Sequence, residues 1–306
     1  MNSNRHVCFC SDDGGFAPLL TAAGSLFRSA DPSRPLALHI LHYGEISAAN
    51  RAALSALAAP FKAISLEWHS LDAVMAPHLN ALCKVSGHWH PAIWGRCFAA
   101  ELLPPEIERL VYIDTDVLVC EDLAPLFDFE LAGHPFAGVQ ERGGYINSGV
   151  LVMDLAAFRR TGALRRIVDY VAGSGEMSCP DQDALNRVFE GDIAFLPFKW
   201  NYTDGWLMRQ LKFKITDREW RGISAAEILE AVCRPGIIHY LGGQHKPWKP
   251  NHRPERRRYA EAMRLVGQTP PKSEPLAFLH DLLYAHARRV ARRRLAQLAS
   301  LDLKGK

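Results

Sequence analysis

The chain contains 306 residues, of which 48% are hydrophobic and 23% are charged, and it carries a formal net charge of +3 at pH 7. This composition excludes a disordered chain and is sufficient for the core of one large domain or two modest ones. The seven cysteines are odd in number and include no CxxC pair, which argues against a disulfide framework or a zinc site and for buried, reduced thiols.

The two ends of the chain differ in character. The N-terminus reaches an apolar strand at His6 without the hydrophobic segment of a signal peptide, and no apolar run approaches the length of a membrane span. We therefore expect a cytoplasmic protein. Basic residues gather after Lys246, so the C-terminal part is expected to meet an anionic partner: a membrane surface, a nucleic acid or a phosphorylated substrate.

The first part of the chain alternates between apolar strands and helices. Strands are predicted at 6–11, 36–43, 63–69 and 109–113, and helices at 16–27, 47–59 and 91–103. This alternation is typical of an α/β fold with a mostly parallel sheet that helices cover on both faces. Ligands bind beyond the carboxyl ends of strands in such sheets. The acids that follow two of the strands, Asp12 with Asp13 and Asp114 with Asp116, are therefore expected to line one crevice.

The second part is less regular. Strands or extended segments are predicted at 136–139, 145–154, 193–200 and 236–241, and helices at 155–160, 164–172, 180–189, 224–232 and 254–266. A linker at 268–271 leads into a basic helix over 276–301. We expect a main domain of residues 1–267, followed by a C-terminal linker and helix in residues 268–306.

The segment around Asp114 is the first candidate for a metal site. If the strand that ends at Ile113 continues through Thr115, Asp114 and Asp116 point to the same side. Two carboxylates that close repel each other, and a hard divalent cation such as Mg²⁺ or Mn²⁺ removes the repulsion. The alternative is a pair of acids in a turn, or acids that cap the following helix.

His239 ends a predicted strand and precedes a glycine-containing loop that reaches Trp248. An imidazole in this place can ligate a metal, and the amides of Gly242 and Gly243 together with Lys246 can hold a pyrophosphate. The alternative is a hydrogen-bonded histidine in the core.

Four further residues carry polar groups suited to sugar or phosphate binding. Asp181 and Gln182 open a predicted helix, where acids commonly complement the helix dipole, but where they can also hold sugar hydroxyls or face a developing sugar cation. Asn147 either exchanges hydrogen bonds with a hydroxyl or forms a turn. Arg96 is either a surface arginine or a planar fork for a diphosphate or a carboxylate.

Six short motifs occur along the chain in one order. They are Asp12-Asp13, Trp94-Gly95-Arg96, Tyr112-Ile113-Asp114-Thr115-Asp116, Asn147-Ser148-Gly149-Val150-Leu151, Asp181-Gln182-Asp183-Ala184-Leu185-Asn186, and His239-Tyr240 with Lys246-Pro247-Trp248. In this set the chain resembles, over residues 6–250, the retaining nucleotide-sugar glycosyltransferases of family eight. That family includes bacterial lipopolysaccharide galactosyl- and glucosyltransferases and the glycogenins.

The resemblance implies a GT-A fold: a Rossmann-like mixed sheet, mostly parallel and flanked by helices, here with a basic helix at the C-terminus. It also implies a UDP-sugar donor and a Mn²⁺ or Mg²⁺ ion. The residues that fall on the family's functional positions are Asp114, Asp116 and His239 for the metal, Asp12 with Asp13 for the nucleotide, Gly242, Gly243 and Lys246 for the pyrophosphate, and Arg96, Asn147, Asp181 and Gln182 for the donor sugar.

The resemblance also bears on the chemistry. Gln182 falls where the family has a residue close to the reacting anomeric face, and no carboxylate stands out there as a nucleophile. Retention of configuration is therefore expected to proceed by same-face attack assisted by the leaving phosphate. The negative charge left on UDP is the charge that a metal and Lys246 stabilise.

Three departures from the family pattern leave details open. Gly14 and Gly15 stand where the family often has a polar residue and an aromatic one, which leaves base stacking open. Glu141 stands near the place of a sugar-binding aspartate, which leaves the donor hexose open. The segment 140–145 is short, so a loop that folds over the donor or the acceptor is expected to be reduced.

The basic C-terminal helix has two interpretations. It is either a basic amphipathic helix that lies on an anionic membrane surface or an ordinary packed helix with a solvated basic face. Its apolar positions are Leu276, Leu279, Leu283, Val290, Leu295 and Leu298.

The resulting hypothesis is a metal-dependent, retaining transfer of galactose or glucose from a UDP-hexose to a bacterial surface glycan, in particular lipopolysaccharide core. The acceptor is a saccharide or a lipid-linked glycan, and the enzyme works in the cytoplasm or on the inner face of the cytoplasmic membrane.

A UDP-sugar hydrolase or an inverting transferase on the same fold is the enzyme alternative. A non-enzymatic protein that binds anions or nucleic acid through the basic C-terminus is the alternative from another class. We expect no nucleic-acid partner, because no aromatic residues interleave with the arginines.

Overall fold

A computed structural model of the protein describes residues 5–203, 219–220, 222–242, 246–249, 255–272 and 277–302. Its strands are β1 (Arg5–Ser11), β2 (Leu36–His42), β3 (Ile64–Ser70), β4 (Arg109–Ile113), β5 (Val117–Val119), β6 (Phe136–Arg142), β7 (Tyr145–Asp154), β8 (Ala194–Leu196), β9 (Glu219–Trp220), β10 (Ile223–Ser224) and β11 (Ile237–His239).

Seven strands form the main sheet, in the order β3-β2-β1-β4-β7-β6-β8. Strands β1, β2, β3 and β4 run parallel, β7 is antiparallel to both β4 and β6, and β8 is parallel to β6. Only β7 therefore opposes the common direction, which confirms the predicted mixed, mostly parallel sheet. Two small sheets pair β5 with β11 and β9 with β10.

Helices cover both faces of the main sheet. They are α1 (Phe16–Ser29), α2 (Ala48–Ala58), α3 (Asp72–Met75), α4 (Leu79–Ser86), α5 (Gly95–Leu102), α6 (Ala124–Phe127), α7 (Leu155–Thr161), α8 (Ala163–Ala172), α9 (Pro180–Val188), α10 (Ala225–Cys233), α11 (Arg256–Leu265) and α12 (Ala277–Asp302).

Two apolar clusters form the core, one on each face of the sheet. Strand side chains alternate between the faces, so Val7 and Phe9 join one cluster and Cys8 joins the other. Both clusters contain side chains from the strands and from the flanking helices, so the helices hold the strands in position.

Several local predictions need correction. The helix expected at 91–103 begins as a 3₁₀ turn at Pro91–Trp94 before α5. The extended segment expected at 193–200 is wrong beyond β8, because the chain after Pro197 enters a 3₁₀ turn at Phe198–Asn201. Helices α3, α4 and α6 and strands β5, β9 and β10 were not predicted.

The cysteines are less buried than their apolar sequence contexts predict. All seven are free thiols, but only Cys8 and Cys97 are buried, whereas Cys83, Cys120 and Cys233 are exposed. The prediction of reduced thiols is therefore consistent with the structure, and the prediction that most of them are buried is wrong.

The C-terminal helix α12 packs against α10. Leu295 is fully buried in the core, and Arg288 and Arg292 both donate to the carbonyl of Val232 in the last turn of α10. Val290, in contrast, is 52% exposed. One side of α12 is thus a packed helix face. Leu276 and the side chains of Leu279, Leu283 and Leu298 lie outside the described part of the chain.

None of the helices among the described residues combines the length and the apolar character needed to cross a membrane.

Candidate active site

The crevice beyond the carboxyl ends of β1 and β4 collects most of the candidate residues. Strand β4 ends at Ile113, so the condition under which Asp114 and Asp116 would share a face as alternate strand residues is not met. The chain bends there instead, held by the Asp114 amide, which donates to the Gly149 carbonyl at 2.8 Å. It then forms β5, whose pairing with β11 places His239 opposite Val117. This ladder brings His239 beside the two aspartates.

Asp114, Asp116 and His239 converge on one point. The Nε2 atom of His239 lies 3.1 Å from Oδ1 of Asp116 and 3.9 Å from Oδ2 of Asp114, and one ligand atom from each residue lies within 4.8 Å of the others. His239 is buried and directs its ring at the carboxylates. Two carboxylate oxygens and one imidazole nitrogen form a donor set that suits a divalent cation.

Asp114 divides its two oxygens between support and the convergence point. Its Oδ1 accepts hydrogen bonds from Arg96 Nη2 at 2.7 Å and from the Tyr112 hydroxyl at 2.8 Å. These two donors fix the carboxylate plane, so that Oδ2 faces His239. Supporting contacts of this kind orient ligands in metal sites.

Asp116 is surrounded by positive charge. Lys246 contacts its Oδ2, and His239 lies against its Oδ1. Burial alone would raise the pKa of the Asp116 carboxyl, but His239 and Lys246 outweigh burial and hold the pKa well below its usual range. The carboxylate is therefore ionised. The Lys246 ammonium group lies next to the convergence point, on the side of Asp116 Oδ2.

A chain of hydrogen bonds fixes the tautomer of His239. The Gly149 amide donates to Asn147 Oδ1 at 3.0 Å, so this atom is an acceptor, and Asn201 Nδ2 donates to the same oxygen at 2.8 Å. Asn201 therefore presents its Oδ1 to His239 Nδ1, 2.8 Å away. Only a protonated Nδ1 can donate to that oxygen, so Nε2 is the nitrogen that faces the carboxylates, and it offers its lone pair to an ion when the ring is neutral. His239 is thus prepared as an Nε2 ligand.

Asn201 was missed by the sequence analysis. It lies in a 3₁₀ turn that carries no recognisable motif, and it is almost fully buried. Only its contacts with Asn147 and His239 reveal its role.

Arg96 is a buried arginine, so the alternative of a surface arginine is wrong. Its Nε lies 3.0 Å from Asp181 Oδ2, its Nη2 binds Asp114, and its guanidinium lies 4.4 Å from the centroid of the Tyr112 ring. Burial disfavours the charge, yet Asp114 and Asp181 keep the pKa of Arg96 well above its ordinary value. The guanidinium group of Arg96 therefore binds two carboxylates and joins them into one hydrogen-bonded network.

Asp181 and Gln182, in the first turn of α9, point inward and are buried. Ser148 donates its hydroxyl to Asp181 at 3.2 Å and its amide to Gln182 Oε1 at 3.0 Å. Burial raises the pKa of Asp181, partly offset by Arg96. The Gln182 amide nitrogen in turn donates to Glu141 Oε2 at 3.2 Å. Glu141, at a departure from the family pattern, thus joins the same wall of the crevice.

Asp12 and Asp13 follow β1, which lies beside β4, so both acid pairs meet at one edge of the sheet. Asp12 Oδ1 accepts from the Gly15 amide at 2.7 Å, and its Oδ2 lies 3.5 Å from Nε2 of His90, a residue the sequence analysis did not single out. Asp13 is turned away: it accepts from the Ser47 amide at 2.9 Å, and this bond lowers its pKa.

The loop after His239 contributes Gly242 and Lys246. Gly242 has φ = +90°, a conformation that favours glycine. Lys246 also donates to the Tyr240 carbonyl at 3.0 Å, so its ammonium group contacts both Asp116 and the residue after His239. Gly243 lies outside the described residues.

Sequence comparisons find relatives of this chain among bacterial proteins. General stress protein A of Bacillus subtilis (strain 168) is 27% identical over 264 residues, covering 80% of this chain and 88% of that protein. Lipopolysaccharide 1,2-glucosyltransferase of Escherichia coli (strain K12) is 29% identical over 180 residues, 52% of this chain but only 50% of that enzyme.

Solved structures show the same fold. An active-site mutant of LgtC superposes with a TM-score of 0.67 at 24% identity, over 89% of this chain and 98% of LgtC. The bifunctional glycosyltransferase WbbM superposes with a TM-score of 0.68 at 21% identity, over 92% of this chain and 51% of WbbM. The fold is accordingly of the GT-A type.

The family model described as glycosyl transferase family 8 matches residues 6–252, which include the main sheet except for Arg5 and all the residues of the crevice named above. The chain belongs to glycosyl transferase family 8.

Proposed function

We propose that the protein is a metal-dependent, retaining hexosyltransferase that moves galactose or glucose from a UDP-sugar to a bacterial surface glycan, in particular lipopolysaccharide core. The observation that supports it most is the convergence of Asp114, Asp116 and His239 at the strand ends, with Nε2 of His239 directed at the acids and Nδ1 held by Asn201. The name of the lipopolysaccharide glucosyltransferase relative supports the acceptor class.

In this proposal Asp114, Asp116 and His239 hold Mn²⁺ or Mg²⁺, which would stabilise the negative charge of the UDP leaving group. Lys246 contacts Asp116. A donor diphosphate offers the ammonium several anionic oxygens, so we expect Lys246 to turn from Asp116 to the diphosphate, with Gly242 and Gly243 beside it. Asp12 contacts the nucleoside, whereas Asp13 accepts hydrogen bonds from Ser47 and Asn50.

The donor sugar lies against the wall formed by Asn147, Asp181 and Gln182. Arg96 shares its charge between Asp114 and Asp181, so it positions both carboxylates relative to the sugar and the diphosphate. Gln182 is neutral and cannot form a glycosyl ester, because an amide oxygen is a poor nucleophile. Same-face attack of the acceptor hydroxyl, with the leaving phosphate receiving its proton, is therefore the mechanism we propose.

A donor screen tests this function. We expect UDP-galactose or UDP-glucose with Mn²⁺ to raise the Tm by about 5 °C at a hundredfold excess over Kd, and neither component alone to do so. ADP-glucose and GDP-mannose are the matched controls for the nucleotide.

Two further measurements test the reaction itself. The anomer of the product by NMR distinguishes retention from inversion, and UDP release without an acceptor detects a hydrolase. Equal shifts for all nucleotides, with no effect of Mn²⁺, would contradict the proposal.

Replacing Asn201 by leucine should raise the Mn²⁺ concentration needed for half-maximal activity by roughly 10- to 100-fold, while saturating Mn²⁺ restores most of kcat. The substitution keeps the branched shape of the side chain but removes the oxygen that holds His239 Nδ1–H. Asn80→Leu on the exposed surface of α4 is the control and should leave the metal dependence unchanged. A loss of kcat that Mn²⁺ does not restore would show that Asn201 supports only the fold.

We further propose that residues 1–267 carry the transfer chemistry and that the exposed arginines of α12 contact an anionic membrane on the cytoplasmic side, where a lipid-linked acceptor is presented. Arg289 and Arg293 lie one turn apart on its exposed side. Because Leu295 packs inward, the contact is electrostatic and does not need insertion.

Arg289→Gln with Arg293→Gln should lower the affinity for vesicles containing anionic lipid by roughly tenfold or more. Arg160→Gln with Arg165→Gln, the same charge change on α7 and α8, is the control. Vesicle binding that is equal for both double variants, or insensitive to salt, would refute the membrane contact.

A further inference from the structure

A second group of metal-ligating side chains lies on the main sheet, at strands β1, β2 and β3. His39 on β2 is paired in register with Glu67 on β3, and His69 follows two residues later on the same face of β3. His6 on β1 completes the row from the other side. None of these residues has a part in the transfer chemistry proposed above.

Three of these side chains place their ligand atoms on a small triangle. The distances are 3.1 Å from His39 Nδ1 to His69 Nε2, 3.4 Å from His39 Nδ1 to Glu67 Oε2, and 3.9 Å from His69 Nε2 to Glu67 Oε2. A point equidistant from the three atoms lies about 2.0 Å from each, which is the length of a zinc bond to imidazole nitrogen or carboxylate oxygen. No side chain has to move far to bind an ion.

His6 prepares His39 as a ligand. Its Nδ1 lies 2.9 Å from His39 Nε2. When His39 donates its Nε2–H to this atom, its Nδ1 lone pair faces Glu67 and His69. Ligating histidines characteristically hold their other ring nitrogen in this way. His39 is fully buried, so its ring is held in place between His6 and the other two ligands.

We propose that His39, Glu67 and His69 bind one divalent transition-metal ion of the zinc type, with His6 orienting His39. Two imidazoles and one carboxylate favour such an ion over Mg²⁺ or Mn²⁺, whereas Asp114, Asp116 and His239 offer mostly oxygen. The Glu67 side chain is 43% exposed, so solvent supplies an entry path and the remaining ligand. The ion ties the edge strand β3 to β2. The absence of a CxxC pair in the sequence speaks only against zinc sites with cysteine ligands, so it does not bear on this one.

The competing explanation is a row of neutral imidazoles that hydrogen-bond to one another without an ion. Each nitrogen pair then shares one proton, and Glu67 only accepts. The two explanations differ in whether the metal-free protein takes up a tetrahedral ion with measurable affinity.

The test uses the full chain without a histidine tag, stripped with chelator, in the Asp116→Asn background, which removes an aspartate of the other cluster. We expect one equivalent of Co²⁺ to bind with the visible absorption of a tetrahedral site, Zn²⁺ to displace it, and Zn²⁺ to raise the Tm by about 5 °C at a hundredfold excess over Kd. Glu67→Gln and His69→Gln should each abolish the Co²⁺ spectrum. His88→Gln, an exposed histidine, is the control and should keep it.

Glu67 and His69 are partly exposed on an edge strand, so both variants are expected to fold, and circular dichroism checks this. If His69→Gln does not fold, Glu67→Gln decides alone. The proposal is overturned if the Asp116→Asn protein binds no Co²⁺ or Zn²⁺, or if Glu67→Gln and His69→Gln bind them as tightly as the parent.

Discussion

Asp116→Asn should lower kcat by at least roughly 10³-fold and make the residual activity independent of Mn²⁺. The substitution keeps the shape of the side chain but removes the negative charge that His239 and Lys246 both contact. An amide oxygen is a much weaker ligand than a carboxylate for a hard cation. The measurement is UDP release with donor and acceptor at increasing Mn²⁺, together with the Tm of each variant.

Asp169→Asn is the matched control, because Asp169 lies on α8 with a side chain that is 71% exposed. We expect it to leave both kcat and the Mn²⁺ dependence unchanged. Full activity of Asp116→Asn at low Mn²⁺ would sink the proposed metal site.

Asp114→Asn is expected to abolish transfer as well, but with a lower Tm than Asp116→Asn. Asp114 also neutralises Arg96, which is buried and would keep only Asp181 as an ionic partner. Removing one partner of a buried charge pair destabilises a protein by about 3–5 kcal/mol when nothing replaces it. The structure therefore distinguishes two aspartates that look equivalent in the sequence.

Gly149→Ala should displace His239 and lower the apparent Mn²⁺ affinity by roughly 100-fold or more. Loss of a group that supports a metal ligand typically costs roughly 10- to 100-fold in affinity, and here the ligand itself is displaced. A Cβ atom at this position would overlap Cε1 of His239 and lie 2.7 Å from its Nδ1 and 2.9 Å from Asp114 Oδ2. Carbon atoms do not approach so closely, so the ring or the carboxylate must move. Both movements open the convergence point.

Gly175→Ala is the control for this substitution, since a Cβ there meets no atom within 4 Å. We expect its Tm and Mn²⁺ dependence to match those of the parent protein. A Gly149→Ala protein that folds and keeps the parental response to Mn²⁺ would show that His239 is not needed in its observed position.

The fold was largely predictable because strands and helices leave different hydrophobic periods in the sequence. The four strands of the parallel half and the long β7 were all placed by apolar runs that end at turn-forming or acidic residues. The missed elements were short: α3 and α4 follow β3 without a regular pattern, α6 has four residues, β5 has three, and β9 and β10 have two each. The segment at 193–200 was misassigned because an apolar run cannot distinguish a strand from a 3₁₀ turn.

The candidate site was predictable as a set of residue types, and less so as an arrangement. Asp114 and Asp116 would share a face as alternate strand residues only if the strand continued through Thr115, but it ends before them. What aligns them is the bend after Ile113 and the contacts of Asp114 with Arg96 and Tyr112. The tautomer of His239 depends on Asn201, which no motif indicated.

By itself, the sequence determined that this protein has a mostly parallel α/β sheet with acids at the strand ends, and that its motifs follow the order of a glycosyltransferase family. Local periodicity and turn chemistry carry that information. Only the tertiary structure decided that His239, 123 residues after Asp116, faces it across the β5–β11 ladder, and that His39, Glu67 and His69 meet on neighbouring strands. The physical reason is that strand register and side-chain direction result from packing between distant segments, which no local pattern encodes.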